Sequence, residues 1–315
     1  MRHGTLLFAS GTVLVTAVMV IACGSSNPSS GFSSNDAGQG GSSSSGGGSG
    51  SSSGSFGDDG SSLVGDGSTT MQDSGSPMAV AVVYAHSADT LYRLNPMNNQ
   101  VAVVGPFNGC DQVIDIAIDQ NSNGYVTTSS GFYKVDLTTA ACTHIADGNY
   151  PNSLSFVPKG TLDPNAEALV GFVDSTYIRI NETTGAITNV GMLTGGYSSS
   201  GDVVSVIGGG TFLTVKGGNQ NCNDCLLQVD PKTGALIQNY GSVNHSDVFG
   251  LAFWAGTAYG FDNGGEVFSI DYQGGSLVTM NIPVPNPPPN LSFWGAGSTT
   301  AAPPTSADGG GFPVQ

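Results

Sequence analysis

Between residues 78 and 297, apolar and polar residues alternate in short runs separated by Gly, Asn and Asp. One pattern, apolar–any–apolar–Asp/Asn, occurs five times and ends at Asn95, Asp136, Asn181, Asp230 and Asp271. Alternation with a period of two predicts a half-buried strand, and the Asp or Asn at its end predicts a turn. The intervals of 41, 45, 49 and 41 residues between these ends indicate a structural repeat.

A second pattern, a small residue between two large apolar ones, also occurs five times. It suits an innermost strand, where backbones converge on an axis. Its copies are Ile116-Ala117-Ile118, Leu154-Ser155-Phe156, Val204-Ser205-Val206, Leu251-Ala252-Phe253 and Leu291-Ser292-Phe293. With the strands on either side of each turn, each repeat of roughly 45 residues holds four short strands, which is typical of a β-propeller blade.

The two ends of the repeat region complete each other. The first repeat starts at its second strand, and the last inner-strand pattern has no repeat after it. We therefore predict an all-β fold, a five-bladed β-propeller over residues 78–297, with the closing inner strand of the first blade supplied by residues 290–295. Such closure leaves no sheet edge unpaired. A six-bladed propeller and an open β-solenoid are the alternatives.

Two segments resemble the YVTN-type propellers and other secreted bacterial propeller proteins. They are Tyr125-Val126-Thr127-Thr128 with the following strand up to Asp136, and the segment from Leu227 to Gly234. The resemblance implies a propeller over residues 78–297. It implies no catalytic residues.

The first 22 residues have the pattern of a secretory signal peptide, with a basic head followed by an apolar stretch. The next residue, in Val20-Ile21-Ala22-Cys23, completes a sequence that resembles the lipobox of bacterial lipoproteins. The resemblance implies that Cys23 becomes a lipidated N-terminus, carrying acyl chains such as palmitate, which anchor the protein to a membrane without crossing it. Gly24, where Asp would retain a lipoprotein in the inner membrane, implies the outer membrane of a Gram-negative bacterium.

Residues 24–77 are dominated by Ser and Gly, contain five Asp and have no Lys or Arg. Such a segment cannot bury a core, so we predict that residues 23–77 comprise the lipidated Cys23 and a disordered tether. Ser/Gly-rich tethers behind a lipobox resemble those of myxobacterial lipoproteins. Residues 298–315 are predicted to be a disordered tail.

The charge of the chain excludes one class of partner. Seven Lys and Arg stand against 23 Asp and Glu, giving a formal net charge of −16. So few cationic side chains cannot neutralise a run of phosphates, and nucleic acid is therefore not expected as a partner.

After Cys23, four cysteines remain, and an even number in an exported chain favours disulfides. We predict a disulfide between Cys222 and Cys225 that staples an Asn/Gly-rich loop, with a redox pair and half a zinc site as alternatives. A bridge between Cys110 and Cys142 is compatible with their places before an inner strand and in an outer strand.

Asp119, Asn121 and Asn123, followed by Gly124, match the opening of a calcium-binding loop. Ser130 occupies the position where such a loop has a bidentate Glu. We therefore interpret this segment as a turn, with calcium as the alternative, and predict no other cofactor or metal site.

Loops that lead into the inner strands and loops between second and third strands should lie on one face. They offer aromatic, amide and acidic side chains around the channel mouth. The candidate ligand-binding residues are Asp111, Asp115, Tyr150, Asn152, Tyr197, Asp202, His245, Asp247 and Asn290. These residue types suit a saccharide, peptide or protein partner.

No nucleophile–base spacing or catalytic motif was found, so we predict a non-enzymatic binding module anchored in the cell envelope. One alternative is a glycoside hydrolase or lyase of the propeller type, using carboxylates such as Asp115 and Asp202 at the channel mouth. The other is a structural envelope protein without a small ligand.

Overall fold

A computed structural model describes residues 83–219, 221–272 and 276–303. Within them the chain forms strands, turns and loops only, and no helix capable of spanning a membrane occurs there. The predicted signal peptide, Cys23 and the tether lie outside the described residues.

The twenty strands follow one another with short connections. They are β1 (Val83–His86), β2 (Thr90–Asn95), β3 (Gln100–Pro106), β4 (Val113–Ile118), β5 (Gly124–Thr128), β6 (Gly131–Val135), β7 (Cys142–Asp147), β8 (Leu154–Val157), β9 (Ala168–Val173), β10 (Thr176–Ile180), β11 (Ile187–Met192), β12 (Tyr197–Val206), β13 (Gly210–Gly217), β14 (Cys222–Val229), β15 (Leu236–Ser242), β16 (Val248–Trp254), β17 (Thr257–Asp262), β18 (Val267–Asp271), β19 (Val278–Ile282) and β20 (Gly295–Gly297).

These strands make five four-stranded antiparallel sheets, which are the blades. Blade I has the order β20-β1-β2-β3, and blades II to V are β4–β7, β8–β11, β12–β15 and β16–β19. The inner strands β4, β8, β12, β16 and β20 contact one another in sequence, and β20 contacts β4. The ring is therefore closed, and the predicted five-bladed propeller is confirmed, whereas the six-bladed and solenoid alternatives are wrong.

Closure is made by the two ends of the repeat region, as predicted. β20 pairs with β1 in an antiparallel register that places Gly295 opposite His86 and Gly297 opposite Tyr84. The closing strand lies later than the predicted residues 290–295, because Phe293 is buried in the core and the Trp294 N–H donates to the His86 carbonyl at 2.7 Å. The chain reaches the axis only after these contacts.

The hydrophobic core is divided into five layers, one between each pair of adjacent blades. Side chains on both faces of each sheet are buried, as they must be in a ring of stacked sheets. Large aromatic residues such as Phe172, Phe253 and Phe261 are fully buried in these layers. Each burial of this kind contributes roughly 1.5–3 kcal/mol.

The repeated Asp or Asn forms the same turn in several blades. The side-chain oxygens of Asn95, Asp136, Asn181 and Asp230 each accept the backbone N–H two residues later, at 2.8–3.0 Å. At Asp136, hydrogen bonds from Thr138 lower the pKa of the carboxyl. The predicted turns between third and fourth strands are thus made by local side-chain chemistry.

The first residues assigned to the disordered tail belong to the propeller. The Ser298 hydroxyl accepts the Phe253 N–H at 2.9 Å, and the Thr300 carbonyl accepts the Ile207 N–H at 3.1 Å. The Thr300 hydroxyl also donates to Glu167. Residues 298–303 therefore pack against the inner strands, and the rest of the predicted tail, residues 304–315, lies outside the described residues.

Both disulfides are present. Cys110 and Cys142 join the loop before β4 to the outer strand β7 of the same blade, with Cα atoms 5.7 Å apart. Cys222 and Cys225, 5.4 Å apart between Cα atoms, lie within β14 rather than in the loop before it.

Candidate functional site

The loops before the inner strands and the loops between second and third strands lie at the same end of the propeller, which we call the loop face. In blade V the Asn263 N–H, between β17 and β18, donates to the Asp247 carbonyl before β16 at 3.0 Å. Between blades I and II the Val113 N–H donates to the Ala88 carbonyl at 2.9 Å. The loop face is thus held together by backbone hydrogen bonds within and between blades.

The predicted binding residues are divided by their burial. Asp111, Asn152, Asp247 and Asn290 are exposed on the loop face. Tyr150 and Tyr197 are buried instead: the Tyr150 hydroxyl donates to the Gly185 carbonyl at 2.9 Å, and the Tyr197 hydroxyl accepts from Asn239 at 2.9 Å. These two tyrosines pack between blades, so their side chains form part of the core.

Asp115 and Asp202, on the inner strands β4 and β12, meet at the propeller axis. Both side chains are fully buried, and their carboxyl groups hydrogen-bond to each other. Burial, together with the neighbouring Asp202 charge, raises the pKa of Asp115, and burial raises the pKa of Asp202. The pair therefore holds a proton at pH values where an exposed Asp has lost it.

The same pair binds the backbone of every inner strand. Asp115 accepts the N–H groups of Ile116 at 2.7 Å and Leu154 at 2.5 Å. Asp202 accepts those of Val203 at 2.6 Å and Leu251 at 2.8 Å, and also that of Ala296. These five donors lie on β4, β8, β12, β16 and β20. The carboxyl pair thus ties the five blades together at the axis, in a place that solvent does not reach.

His86 is the third polar side chain at the axis. It is fully buried, its Nδ1 lies 2.8 Å from the Ser87 carbonyl, and its Nε2 has no hydrogen-bond partner among the described residues. A methyl group on Gly295 would collide with both this Nε2 and Asp115 Oδ1, so the three residues converge. Burial lowers the pKa of His86 to about 4, so the ring is neutral at pH 7.

A second group of ionisable side chains lies on the loop face of blade V. His245 Nδ1 is 3.5 Å from Asp262 Oδ2 and 3.5 Å from Glu266 Oε2. The side chains of His245 and Asp262 are only 10% and 9% exposed, whereas that of Glu266 is 55% exposed. One ligand atom from each residue lies within 4.8 Å of the others, an arrangement that could hold a metal ion.

Two further acidic residues lie near the group: Asp247, in the same loop as His245, and Asp224, on β14 of blade IV. The Asp247 N–H donates to Asp224 Oδ2 at 2.9 Å, and the Ser200 hydroxyl donates to Asp224 Oδ1 at 2.6 Å. Burial raises the pKa of Asp224, while these hydrogen bonds lower it. The loop face of blade V is therefore an acidic region that favours cations.

A cleft of about 420 Å³ opens where the chain closes the ring. One wall is formed by the β1–β2 loop, with Ser87 and Asp89, and by Tyr92 of β2. The other wall is the segment leading into β20, with Asn290 and Trp294. The Asp89 carboxylate is oriented by the Ser87 hydroxyl at 2.9 Å and the Thr90 hydroxyl at 3.2 Å. We call this the seam cleft.

The calcium candidate forms a turn between β4 and β5. Asp119 Oδ1 accepts the N–H groups of Asn121 and Asn123 at 2.9 and 2.7 Å, and Oδ2 accepts the Asn123 side-chain amide at 2.8 Å. Both carboxylate oxygens are thus engaged within the turn.

The sequence indicated His245 and Asp247 as binding residues, but not Asp262 and Glu266. The available signal was topological: residues before a first strand and residues between second and third strands share the loop face. Asp262 and Glu266 flank the loop between the second and third strands of blade V, and His245 precedes its first strand, so this rule places all three on the same face. The sequence placed both Asp115 and Asp202 at inner strands, but it did not predict that their carboxyls meet, buried, at the axis.

No protein-family model and no curated protein match this chain. Solved structures similar to it include a protein of unknown function from Bacteroides caccae, with 10% identity, coverage of 64% of this chain and 72% of that chain, and a TM-score of 0.37. A chain from a nidogen/laminin complex has 11% identity, coverage of 69% and 97%, and a TM-score of 0.42. BamB from Moraxella catarrhalis has 15% identity, coverage of 63% of each chain, and a TM-score of 0.33.

Proposed function

We propose that this protein is a lipid-anchored module of the cell envelope that binds a saccharide in the seam cleft. The observation that carries the proposal is the composition of that cleft. Half-buried Trp294 lies beside Asn290, Asp89 and two serines, and the buried core residue Tyr92 also lines the cleft. Aromatic rings pack against the apolar faces of sugar rings, and amides, hydroxyls and carboxylates bind sugar hydroxyls.

The size and charge of the cleft narrow the ligand class. Its volume of about 420 Å³ lies within the range of small-molecule sites, which is roughly 300–1,000 Å³. Asp89 and the net charge of −16 disfavour anionic polymers. We therefore propose a neutral or amino sugar as the ligand, in preference to a peptide or a protein.

The proposed function also includes a lipid anchor at Cys23. Lipidation of Cys23 would hold the chain at the outer membrane, and the 54 residues from 24 to 77 would give it a root-mean-square reach of roughly 40 Å. A reach of that length would extend beyond the lipid headgroups, where cell-wall or extracellular saccharides are accessible.

A glycoside hydrolase that uses the axial carboxylates is disfavoured by their surroundings. Asp115 and Asp202 are fully buried and accept five backbone N–H groups, so they cannot reach a glycosidic oxygen. The proposed activity is therefore binding.

The test is to titrate the full chain, purified in detergent, with soluble peptidoglycan fragments and neutral polysaccharides by calorimetry. Trp294→Ala removes the aromatic platform, and Ser292→Trp fills the cleft; each is expected to weaken binding by at least about tenfold. Asn152→Ala, which changes an exposed amide of the loop face outside the cleft, should bind as the wild type does.

Thermal unfolding of each variant verifies that the fold is intact. Equal binding by Ser292→Trp and the wild type would contradict the assignment of the cleft, and absence of binding to any saccharide would contradict the ligand class.

In cells, Cys23→Ala should release the protein from the membrane fraction, and retention there would contradict lipid anchoring.

A further inference from the structure

We infer that His245, Asp262 and Glu266 form a binding site for a divalent transition-metal ion such as Zn²⁺. This site is in blade V, apart from the seam cleft, and the inference does not depend on saccharide binding. An imidazole nitrogen and two carboxylate oxygens are a donor set that zinc accepts.

The distances fit metal ligands better than hydrogen bonds. The His245 Nδ1 atom is 3.5 Å from each of two carboxylate oxygens. An N–H···O bond is usually about 2.7–3.2 Å long. Donors bound at about 2.1 Å to a tetrahedral ion are separated by about 3.4 Å, which is close to both observed separations. A small movement of the exposed Glu266 side chain would bring the third donor into place.

The charge of the site is unbalanced without a cation. Among the described residues, no Lys or Arg lies within ion-pair distance of Asp262 or Glu266. Asp262 is nearly buried, and Asp224 and Asp247 add negative charge nearby. His245 faces the carboxylates of both Asp262 and Glu266. A divalent ion would neutralise both.

The ligands are held in position before any metal arrives. The Asp262 Oδ1 atom accepts the Glu266 N–H at 2.9 Å, which leaves Oδ2 directed at the histidine. The His245 ring stacks on buried Phe268 with centroids 3.7 Å apart and planes inclined by 3°. The Asn263 N–H bonds the Asp247 carbonyl at 3.0 Å, which joins the two loops that carry the ligands. Fixed ligands of this kind lower the cost of binding.

Three protein ligands leave a tetrahedral ion with one open position. Structural zinc sites have four protein ligands, whereas sites with three keep a position for water or an external ligand. Because Glu266 is 55% exposed, that position would be open to solvent on the loop face. A bound metal there could accept an oxygen ligand from a partner molecule.

The test is calorimetric titration of the untagged full chain with ZnCl₂, after treatment with EDTA and dialysis. One saturable site per chain is expected, and Zn²⁺ should raise the temperature of unfolding. His245→Gln and Glu266→Gln should each weaken Zn²⁺ binding by at least about tenfold. Circular dichroism of these variants shows whether the propeller is folded.

Two matched variants are the controls. His144→Gln removes an exposed histidine that faces Asp147, and Asp247→Asn removes one negative charge from the same acidic region without removing a proposed ligand. His144→Gln should bind Zn²⁺ with wild-type affinity, and Asp247→Asn, which removes only a nearby charge, should lose much less affinity than the ligand variants. The inference is overturned if the wild type shows no saturable binding, if His245→Gln and Glu266→Gln bind as tightly as the wild type, or if Asp247→Asn loses as much affinity as they do.

Discussion

Asp115 and Asp202 show how residues that resemble a ligand-binding pair can serve the fold. An acidic residue near the start of an inner strand was expected at the channel mouth. Instead, the two buried carboxyls accept one backbone N–H from each of the five inner strands. Because their folded-state pKa values are raised, the stability that the pair contributes is greatest at low pH and declines as the pH rises through those values.

We predict that Asp202→Asn lowers the free energy of unfolding by about 3 kcal/mol, measured by urea denaturation. An amide keeps one acceptor oxygen but turns an NH₂ group toward backbone N–H donors, so at least one buried donor loses its partner. The control is Asp247→Asn, an exposed acid in which stability should change by no more than about 0.5 kcal/mol. Equal stability of the two variants would show that the axial pair does not join the blades.

At the scale of the element, the inner strands β12 and β20 depend on residues without side chains. Gly201 in β12 lies against β16, and a Cβ atom there would overlap the Val248 carbonyl oxygen and lie 2.8 Å from Thr214 Oγ1. Gly295 and Gly297 in β20 are similarly enclosed. Close approach of the inner-strand backbones therefore requires glycine at these positions, which are not the small residues of the apolar–small–apolar pattern.

Gly201→Ala should therefore destabilise the propeller by about 3 kcal/mol or more, since the obstructing atom belongs to a neighbouring backbone. Gly105→Ala in β3 is the matched control, because a Cβ at that position would be 3.6 Å from its nearest neighbour, the Thr139 carbonyl oxygen. Thermal unfolding monitored by circular dichroism compares the two. A wild-type melting temperature in Gly201→Ala would mean that β12 and β16 are not in close contact.

At the scale of the whole molecule, stability depends on closing the ring. β20 is only three residues long, yet it pairs with β1 and contacts β4 and β16. Without it, β1 would present an unpaired edge, and the carboxyl pair would lose the Ala296 N–H donor.

A chain that ends at residue 289 should accordingly lose cooperative unfolding and aggregate, whereas a chain that ends at residue 303 keeps β20 and should unfold as the full chain does. Urea denaturation and size-exclusion chromatography measure the two effects. A soluble and cooperatively folded shorter chain would contradict the role assigned to closure.

The sequence by itself determined the all-β class, the number of blades and the turns, because alternation and Asp/Asn turn chemistry are local and recur once per blade. It also indicated that the two ends close the ring. Only the tertiary structure decided the position of the closing strand. Phe293 is buried in the core and the Trp294 N–H bonds to the His86 carbonyl, so the strand at the axis begins at Gly295.

The tertiary structure also decided which polar residues meet. Asp115 lies 87 residues before Asp202, and His245 lies 17 residues before Asp262, so no local pattern pairs them. Their meeting depends on the ring. A closed axis buries one carboxyl pair among five backbones, and adjacent loops of one blade bring a histidine between a nearly buried and an exposed carboxylate. The periodicity of the sequence specifies strands and turns, whereas the meeting of distant polar side chains depends on how the blades are arranged in space.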